Sequence, residues 1–548
     1  MIRSAHVDTF PRDNLPAREH WPDFPFTLPE LQYPERLNCV SHLVDRWVES
    51  GEGGRACVIG ASETLSYSAF AERVNRIANA LTRDLGLAPG NRVLLRGPNS
   101  PMMAAAYFAV LKAGGVVVAT MPLLRAKEIA YPLNKARIAL ALCDQRLAEE
   151  MEKARGAAPE LRRVVYWGGG TADALETLMA KPGYESFTAC DTAADDVCLI
   201  AFTSGTTGEP KGTMHFHRDL LATCDSYGRY VLEALPSDRF IGSPPLAFTF
   251  GLGGLLLFPL RIGAATILLE RATPEDLIGA ISRFRASVCF TAPTAYRAML
   301  GKLGAQDISS LRKCVSAGEA LPKATFDAWL AATGIKILDG IGATEMLHIF
   351  IGSPEREIRA GATGRPVAGY EARVVDDQGK ELPSGTIGRL AVRGPTGCRY
   401  LADARQSRYV QDGWNITGDT YLMDAEGYFW YQARSDDMIV SAGYNIAGPE
   451  VEAALLEHPA VAECGVVGAP DEERGQIVKA YVVLRPPHSG DAPTTKLLQD
   501  HVKATIAPYK YPRAIEYVAS LPRTQTGKLQ RFELRRMAHA TAPQKLAS

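Results

Sequence analysis

Ten consecutive residues from Thr203 to Gly212 have the composition of an anion-binding loop. Their glycines allow backbone N–H groups to turn toward an oxyanion, and their hydroxyls add side-chain donors. The apolar run 197–202 comes directly before, so the loop should leave the end of a buried strand. It is not a Walker A loop, because no Gly-Lys-Ser/Thr closes it. The run predicts a phosphate site for ATP, formed by Thr203, Ser204, Gly205, Thr206, Thr207, Gly208 and Lys211.

Four more motifs follow at wide spacing. They are Gly342-Ala343-Thr344-Glu345, Thr417-Gly418-Asp419, Arg434-Ser435-Asp436-Asp437 with the run 441–446 behind it, and the run 522–531 around Lys528. Together with the loop, they resemble the adenylate-forming superfamily of acyl-CoA synthetases, adenylation domains and luciferases. The run 339–350 most resembles the benzoate-CoA ligase branch, which has isoleucine where most members have tyrosine. The N-terminal sequence from Ala5 to Phe10 also looks like anthranilate-CoA ligases.

The resemblance implies that the protein first joins a carboxylate to AMP and then transfers the acyl group to coenzyme A. The protein's task in the first step is to position the carboxylate and to neutralise charge on the phosphoryl oxygens. In the resembling family, Thr344 contacts the α-phosphate and Glu345 binds Mg²⁺. Lys528 supplies a mobile cation, which suits a compact charge on a long stem. Taken alone, Lys528 could equally be a solvated surface lysine.

The resemblance also assigns residues to the nucleoside and to coenzyme A. Asp419 and Arg434 should bind the ribose, and Gly318, Glu319, Ala320, Asp339 and Gly340 should lie beside the adenine. In that family a small C-terminal lobe rotates about a hinge at Asp436 and brings Gly443 to a pantetheine tunnel. A polar, unbranched residue in a short linker can absorb such a backbone change. An ordinary role as a hairpin glycine explains Gly443 nearly as well as a role at the tunnel.

By the same match, the acyl group should be surrounded by Phe248, Thr249, Phe250, Ala317, Gly342, His348 and Ile349. Such walls suit a flat ring and do not suit a long chain. Phe250 replaces the tyrosine expected for a plain benzoate ligase. The Thr249 hydroxyl could accept a hydrogen bond from an ortho amino group, although packing alone explains Thr249 equally well. His348 could touch the carboxylate or be a donor behind the pocket. The first choice of substrate is 2-aminobenzoate, with benzoate as the alternative.

Bulk properties exclude several classes of function. The 60 Lys and Arg residues are interspersed with 61 Asp and Glu residues, which favours neither nucleic acid nor an anionic membrane as a partner. The ten cysteines lack C-x-x-C pairs and metal-ligand spacing, so reduced, packed thiols are expected. Residues 1–38 lack the apolar core of a signal peptide, which predicts a cytoplasmic location. Glycine, proline or charge interrupts the apolar stretches 102–124 and 246–260, which argues against membrane spans.

Short apolar strand candidates alternate with helical stretches along the first four hundred residues, which predicts parallel sheets covered by helices. A β-rich stretch follows near 372–393, and the alternation restarts beyond Asp437. We therefore predict an α/β fold of two domains. The large N-terminal domain, residues 1–435, includes the β-rich subdomain and is covered in part by the N-terminal segment. The second is a small, mobile α+β domain, residues 436–548.

These observations predict an ATP-dependent aryl-carboxylate–CoA ligase that uses Mg²⁺ and acts as a monomer or homodimer on small molecules. An adenylation module that loads a separate carrier protein is an alternative, which thioester formation with free coenzyme A would decide. A nucleotide-binding protein without activity is a third possibility, opposed by the presence of Lys528, Glu345 and Asp419. Catalysis by Cys398 or Cys464 as nucleophile is disfavoured, because neither has a His/Asn or His/Asp constellation nearby in the sequence.

Overall fold

Two mainly parallel sheets lie at the centre of the N-terminal part of the computed structural model, which describes residues 3–203, 209–434, 437–441, 444–471, 474–524 and 527–540. The spatial order of the first sheet is Arg365–Pro366, Ile349–Gly352, Ile337–Gly342, Lys313–Ser316, Val288–Thr291, Arg239–Gly242, Ala265–Ile267, Ala56–Ile59 and Thr64–Ser66. The spatial order of the second sheet is Arg163–Trp167, Leu140–Asp144, Arg92–Arg96, Val116–Thr120, Val197–Phe202 and Gly212–Phe216. Antiparallel pairs lie at the edges of both sheets. The predicted α/β fold is confirmed.

Helices cover both sheets, as parallel strands buried on two faces require. Side chains cap several of these helices at their N-termini; Thr273, for example, accepts a hydrogen bond from the N–H of Asp276. The longer helices are Tyr67–Asn79, Pro101–Lys112, Ala126–Lys135, Ala148–Arg155, Pro274–Phe284, Pro293–Leu300 and Lys323–Thr333. Shorter ones are Arg46–Glu49, Leu175–Met179, His217–Thr223, Thr249–Leu252, Phe258–Arg261 and Gln406–Tyr409, and wide π-helical turns occur at Ser41–Asp45, Ala80–Asp84, Cys224–Leu232 and Gly253–Leu257.

The β-rich stretch forms an antiparallel sheet with the strands Glu371–Val375, Ile387–Arg393, Val410–Gln411, Trp414–Met423 and Phe429–Arg434. The C-terminal lobe, residues 437–540, begins with the hairpin Ile439–Ser441 and Tyr444–Ile446. Its sheet contains Val461–Asp471, Gly475–Leu484 and Ala514–Tyr517, and its helices are Gly448–Glu457, Ala492–Thr505 and Arg531–Ala540. The predicted domain boundary between residues 435 and 436 lies outside the described residues.

The two apolar stretches considered as membrane spans have other structures. Residues 102–124 contain all but the first residue of the helix Pro101–Lys112, followed by the strand Val116–Thr120. Residues 246–260 contain short helical segments from Thr249 onward. Among the helices of the described part of the chain, none has both the length and the apolar character needed to cross a membrane.

The N-terminal segment, residues 3–38, packs against the large domain, as expected. Ala5 donates its backbone N–H to the carboxylate of Asp196 over 2.9 Å. Asp8 forms an ion pair with the buried guanidinium of Arg92. These contacts fix the segment against the sheet that carries the loop 203–212.

A fully buried ion pair joins Arg399 to Asp219. The Arg399 guanidinium lies 3.9 Å from the ring centroid of Phe216 and 4.9 Å from that of Phe24 in the N-terminal segment. Aromatic faces attract a cation that has lost its water. Removal of one partner from such a pair leaves the other charge buried and uncompensated.

We expect Arg399→Met to lower the free energy of unfolding by about 3–5 kcal/mol, because Asp219 would stay buried without its cation. The matched control is Arg356→Met, which removes a surface ion pair with Glu233 and should leave the free energy of unfolding nearly unchanged. Urea denaturation followed by tryptophan fluorescence measures both. An equal, small loss in the two variants would contradict a stabilising role for the buried pair.

Candidate active site

The two ends of the predicted phosphate loop are held together where the strand Val197–Phe202 ends. Thr203 donates its backbone N–H to the Lys211 carbonyl over 2.9 Å, and the Lys211 N–H is donated to the Thr203 hydroxyl over 3.2 Å. Residues 204–208 between them lie outside the described residues. The loop therefore begins and ends on adjacent antiparallel strands at the carboxyl end of a buried strand, where open α/β sheets bind ligands.

Lys211 and Glu345 are brought together although 134 positions separate them in the sequence. The Lys211 ammonium lies 3.6 Å from Glu345 Oε1 and donates a hydrogen bond of 2.8 Å to the Tyr400 hydroxyl. Tyr400 in turn donates to the same Glu345 oxygen over 2.5 Å. Glu345 is buried, and its other oxygen has no hydrogen-bond partner among the described residues. One oxygen of a buried carboxylate is thus free for a ligand.

A line of polar contacts connects Thr344 to the protein interior. The backbone carbonyl of Thr344 lies 2.8 Å from Nε2 of His215, which must therefore carry the proton of this hydrogen bond. His215 is fully buried on the strand Gly212–Phe216, and its Nδ1 lies 3.7 Å from the Asp219 carboxylate. The Thr344–Glu345 turn is thereby fixed to the strand that follows the phosphate loop.

The predicted catalytic lysine lies at the interface of the two lobes. A Cβ atom on Gly318, whose φ is +97°, would come within 3.3 Å of Lys528 Cε and 3.6 Å of its Nζ. Only glycine combines this backbone angle with such a close approach at low cost. The pKa of Lys528 lies below its ordinary range because atoms of both lobes reduce its hydration, although the side chain still reaches solvent. Glu319 and Asp419 oppose this lowering, and Arg434 adds to it.

The Glu319 side chain contacts the C-terminal lobe. Its carboxylate accepts the backbone N–H of Leu529 over 3.0 Å and lies 3.7 Å from the Arg523 guanidinium. Burial raises the pKa of Glu319, while Arg523 and Lys528 oppose the rise. Glu319 beside the adenine stays a prediction, and its side chain joins the Lys528 loop to the large domain.

Asp419 and Arg434 face each other on paired strands, with 3.2 Å between Arg434 Nη1 and Asp419 Oδ1. Burial raises the pKa of Asp419, and the Arg434 charge opposes the rise. Asp339 lies on the strand Ile337–Gly342, and burial raises its pKa to about 7. Asp339 Oδ1 is buried and has no hydrogen-bond partner among the described residues. Gly340 follows it on the strand, and Ala320 is exposed.

His348 lies in an aromatic cluster. The centroid of its ring is 4.6 Å from that of Phe258, 5.4 Å from Tyr227, 5.6 Å from Phe250 and 6.3 Å from Phe290. Burial lowers the pKa of His348 to about 3, so the imidazole is neutral at physiological pH. Neither ring nitrogen has a hydrogen-bond partner within the described part of the chain. Contact of His348 with the carboxylate and a donor role behind the pocket therefore both stay predictions.

The other predicted pocket residues lie around this cluster. Phe248 and Thr249 begin the helix Thr249–Leu252, and the Thr249 hydroxyl has no hydrogen-bond partner among the described residues. Ala317 is buried directly after the strand Lys313–Ser316, and Gly342 pairs with Ile349 at the strand edge. Phe250, Ala317 and Ile349 belong to one apolar cluster.

Gly253 allows the neighbouring helix to reach the imidazole, because a Cβ atom there would lie 2.3 Å from His348 Cδ2. That distance is far below van der Waals contact, so a side chain at this position would displace the ring. The backbone at Gly253 thus limits the space available around the His348 ring.

Some predicted residues lie outside the described part of the chain, namely Ser204, Gly205, Thr206, Thr207, Gly208, Asp436 and Gly443. Cys398 and Cys464 are buried, and burial raises the pKa of both thiols well above its usual range, which argues against a nucleophilic role. The ten cysteines are free thiols, as expected. Sequence reasoning missed Tyr400, His215 and Phe258. Of these three residues, only His215 lies close in the sequence to a recognised motif. A second histidine follows it two residues later.

Comparisons with known proteins agree with this geometry. Residues 44–400 match the family model described as AMP-binding enzyme, and residues 450–528 match that of the AMP-binding enzyme C-terminal domain. A benzoate–CoA ligase of Thauera aromatica is 38% identical over 93% of this chain and 98% of its own length.

Two solved structures are also similar. The anthranilate CoA ligase AuaEII in complex with anthranoyl-AMP is 36% identical, with a TM-score of 0.90 over 94% of this chain and 100% of that one. A benzoate CoA ligase from Burkholderia xenovorans LB400 is 32% identical, with a TM-score of 0.84 over 91% and 100%. The resemblance inferred from the motifs is confirmed: the chain belongs to the AMP-binding enzyme family, as an AMP-forming acyl- and aryl-CoA ligase.

Proposed function

We propose that the protein ligates 2-aminobenzoate to coenzyme A through an aryl-AMP intermediate, with benzoate as the second candidate. The observation that carries the aryl part of this proposal is the ring cluster around His348. Flat aromatic walls favour a flat ring over a flexible chain. The likeness to an anthranilate CoA ligase and to benzoate–CoA ligases supports both candidates.

Two unpartnered groups favour the amino-substituted ring. The neutral imidazole of His348 and the hydroxyl of Thr249 can each accept a hydrogen bond from an amine. A buried acceptor without a donor costs free energy, and an ortho amino group would supply the donor. Benzoate would leave the buried His348 acceptor without this donor.

We propose that ATP contacts three groups of residues. We assign its phosphates to the loop 203–212 and to Thr344, and its ribose to Asp419 and Arg434. The unpartnered Oδ1 of Asp339 fits a ligand with an amine donor, as adenine has. Asp436 as hinge, Gly443 at the coenzyme A tunnel and a mobile domain 436–548 remain proposals by resemblance.

The residues present fit a magnesium ion. Glu345 offers an uncommitted carboxylate oxygen, the ligand type that Mg²⁺ prefers. Bound Mg²⁺ would supply charge neutralisation on the phosphates. Lys211 lies 3.6 Å from Glu345 in the absence of ATP, and we propose that it turns toward the phosphates when ATP binds. We further propose that the protein acts in the cytoplasm as a monomer or homodimer.

Lys528→Ala should slow aryl-adenylate formation by roughly 100-fold or more, because it removes a positioned cation from the transition state. Thioester formation from supplied aryl-AMP should change little. Pyrophosphate exchange measures the first reaction, and coenzyme A thioester release measures the second. Lys496→Ala, on the surface of the same lobe, is the control. An equal loss in both reactions would rule out the assignment of Lys528 to adenylation.

Glu319→Gln should slow adenylate formation by roughly tenfold, because a charge-assisted contact to the Lys528 loop becomes a neutral one. The variant should transfer the acyl group from supplied aryl-AMP at the normal rate. Glu463→Gln is the matched control, since Glu463 pairs with the same Arg523 over 2.7 Å but lies within the C-terminal lobe. Unchanged pyrophosphate exchange in the Glu319 variant would refute the docking role.

A substrate panel tests the function itself. We expect kcat/KM to be highest for 2-aminobenzoate, lower for benzoate and lowest for octanoate, with para-substituted benzoates penalised by crowding near Gly342 and Ala317. Thr249→Val should narrow the lead of 2-aminobenzoate by about 1 kcal/mol, the net value of one neutral hydrogen bond. A lead by benzoate, with Thr249→Val neutral, would select the second candidate. Activity on octanoate above all aryl acids would overturn the aryl proposal.

A further inference from the structure

A second cavity, of about 290 Å³, lies beside the helical segment Cys224–Leu232 and the helix Phe258–Arg261. This volume is at the lower end of the range for small-molecule sites. Leu232, Ala234 and Ile262 supply apolar lining, and Arg46, Arg229 and Arg261 supply positive charge. None of the predicted site residues lines this cavity.

Most charges around the cavity are paired within the protein. Arg261 binds both oxygens of Asp225, over 2.9 and 3.0 Å, and the hydroxyl of Tyr33 donates to Asp225 over 2.7 Å. Arg229 lies 3.1 Å from Glu30 at the surface. The other acidic residue of the lining, Glu233, pairs with Arg356 over 2.5 Å.

Arg46 is the exception. Its guanidinium is half-buried and lies 4.4 Å from the ring centroid of Trp47, and it forms no ion pair or side-chain hydrogen bond with any described residue. The pKa of Arg46 is lowered by burial and by the charge of Arg261, with Asp225 opposing. Among the described residues, no carboxylate accepts from the five N–H donors of this planar fork, and an added carboxylate would complete such an arrangement.

We propose that this cavity is a second binding site, for a small organic carboxylate whose charged group pairs with Arg46 and whose apolar part lies on Leu232, Ala234 and Ile262. The apolar lining distinguishes such a ligand from inorganic phosphate, which would leave that surface exposed to water. The volume limits the ligand to roughly the size of one ring or a short chain.

The ring of Phe258 belongs to both sites. It lines the second cavity, and its centroid lies 4.6 Å from that of His348 in the aryl pocket. Gly228, which also lines the cavity, places a bare backbone against Phe258, because a Cβ there would be 3.3 Å from the ring. One aromatic ring therefore separates the second site from the first.

The test uses the full-length protein with its aryl-adenylate site blocked by 5′-O-(N-benzoylsulfamoyl)adenosine, an inert aryl-AMP analogue. Benzoate, the probe, is then titrated and its heat of binding recorded. We expect benzoate to bind the blocked protein at about one site, and Arg46→Gln to weaken this binding by roughly tenfold or more, the scale of a charge-assisted hydrogen bond. Arg46→Lys should recover part of the affinity because it restores the charge.

The matched control is Arg83→Gln, which removes an exposed guanidinium that also lies near an aromatic ring, 5.1 Å from the Tyr184 centroid, and should leave benzoate binding unchanged. Inorganic phosphate should not bind at the concentrations that saturate benzoate. Absence of benzoate binding to the blocked protein, equal binding by a folded Arg46→Gln variant, or phosphate binding as tight as that of benzoate would each overturn the proposal. The heat of benzoate binding is measured without turnover. The result can therefore be interpreted even if the proposed function is wrong.

Discussion

The buried ion pair between Arg399 and Asp219 is the constraint on which the arrangement of the site depends. Asp219 begins the helix behind the phosphate-loop strand, and Arg399 adjoins Tyr400, which reaches Glu345. Because neither charge can leave its partner without a large desolvation cost, the two chain segments keep one relative position. His215 extends the same network to the carbonyl of Thr344. Lys211 at the end of the proposed phosphate loop, Glu345 as the proposed magnesium ligand, and the protein interior are thus parts of one polar network.

The site accumulates carboxylates that burial makes less acidic. The pKa values of Asp339, Asp419 and Glu319 are all raised, each mainly by loss of hydration. Such groups store an unfavourable free energy that a ligand with donors or cations can release. Two cations within the site reduce this unfavourable free energy, since Arg434 faces Asp419 and Arg523 faces Glu319. Ligand binding at a site of this kind releases more free energy than binding at a surface whose polar groups all have hydrogen-bond partners.

Much of the fold and of the nucleotide site could be predicted from the sequence, because each motif is a contiguous run with its own strand or turn signal. The strand before Thr203 follows from such a local pattern, whereas the contact between Asp419 and Arg434 on paired strands does not. Tyr400 and Phe258 could not be predicted, since their roles arise from contacts between segments far apart in the chain. The contact of the Glu319 side chain with Leu529 could not be predicted for the same reason, since Leu529 belongs to the other lobe.

The contact between Gly253 and the His348 ring restricts how this pocket can diverge among related enzymes. A side chain at Gly253 would displace the His348 ring or require the helix to move. Variation in substrate range is then easier at Thr249 and Phe250, which stand at the start of a short helix. Redesign toward bulkier acids should therefore begin at these two positions.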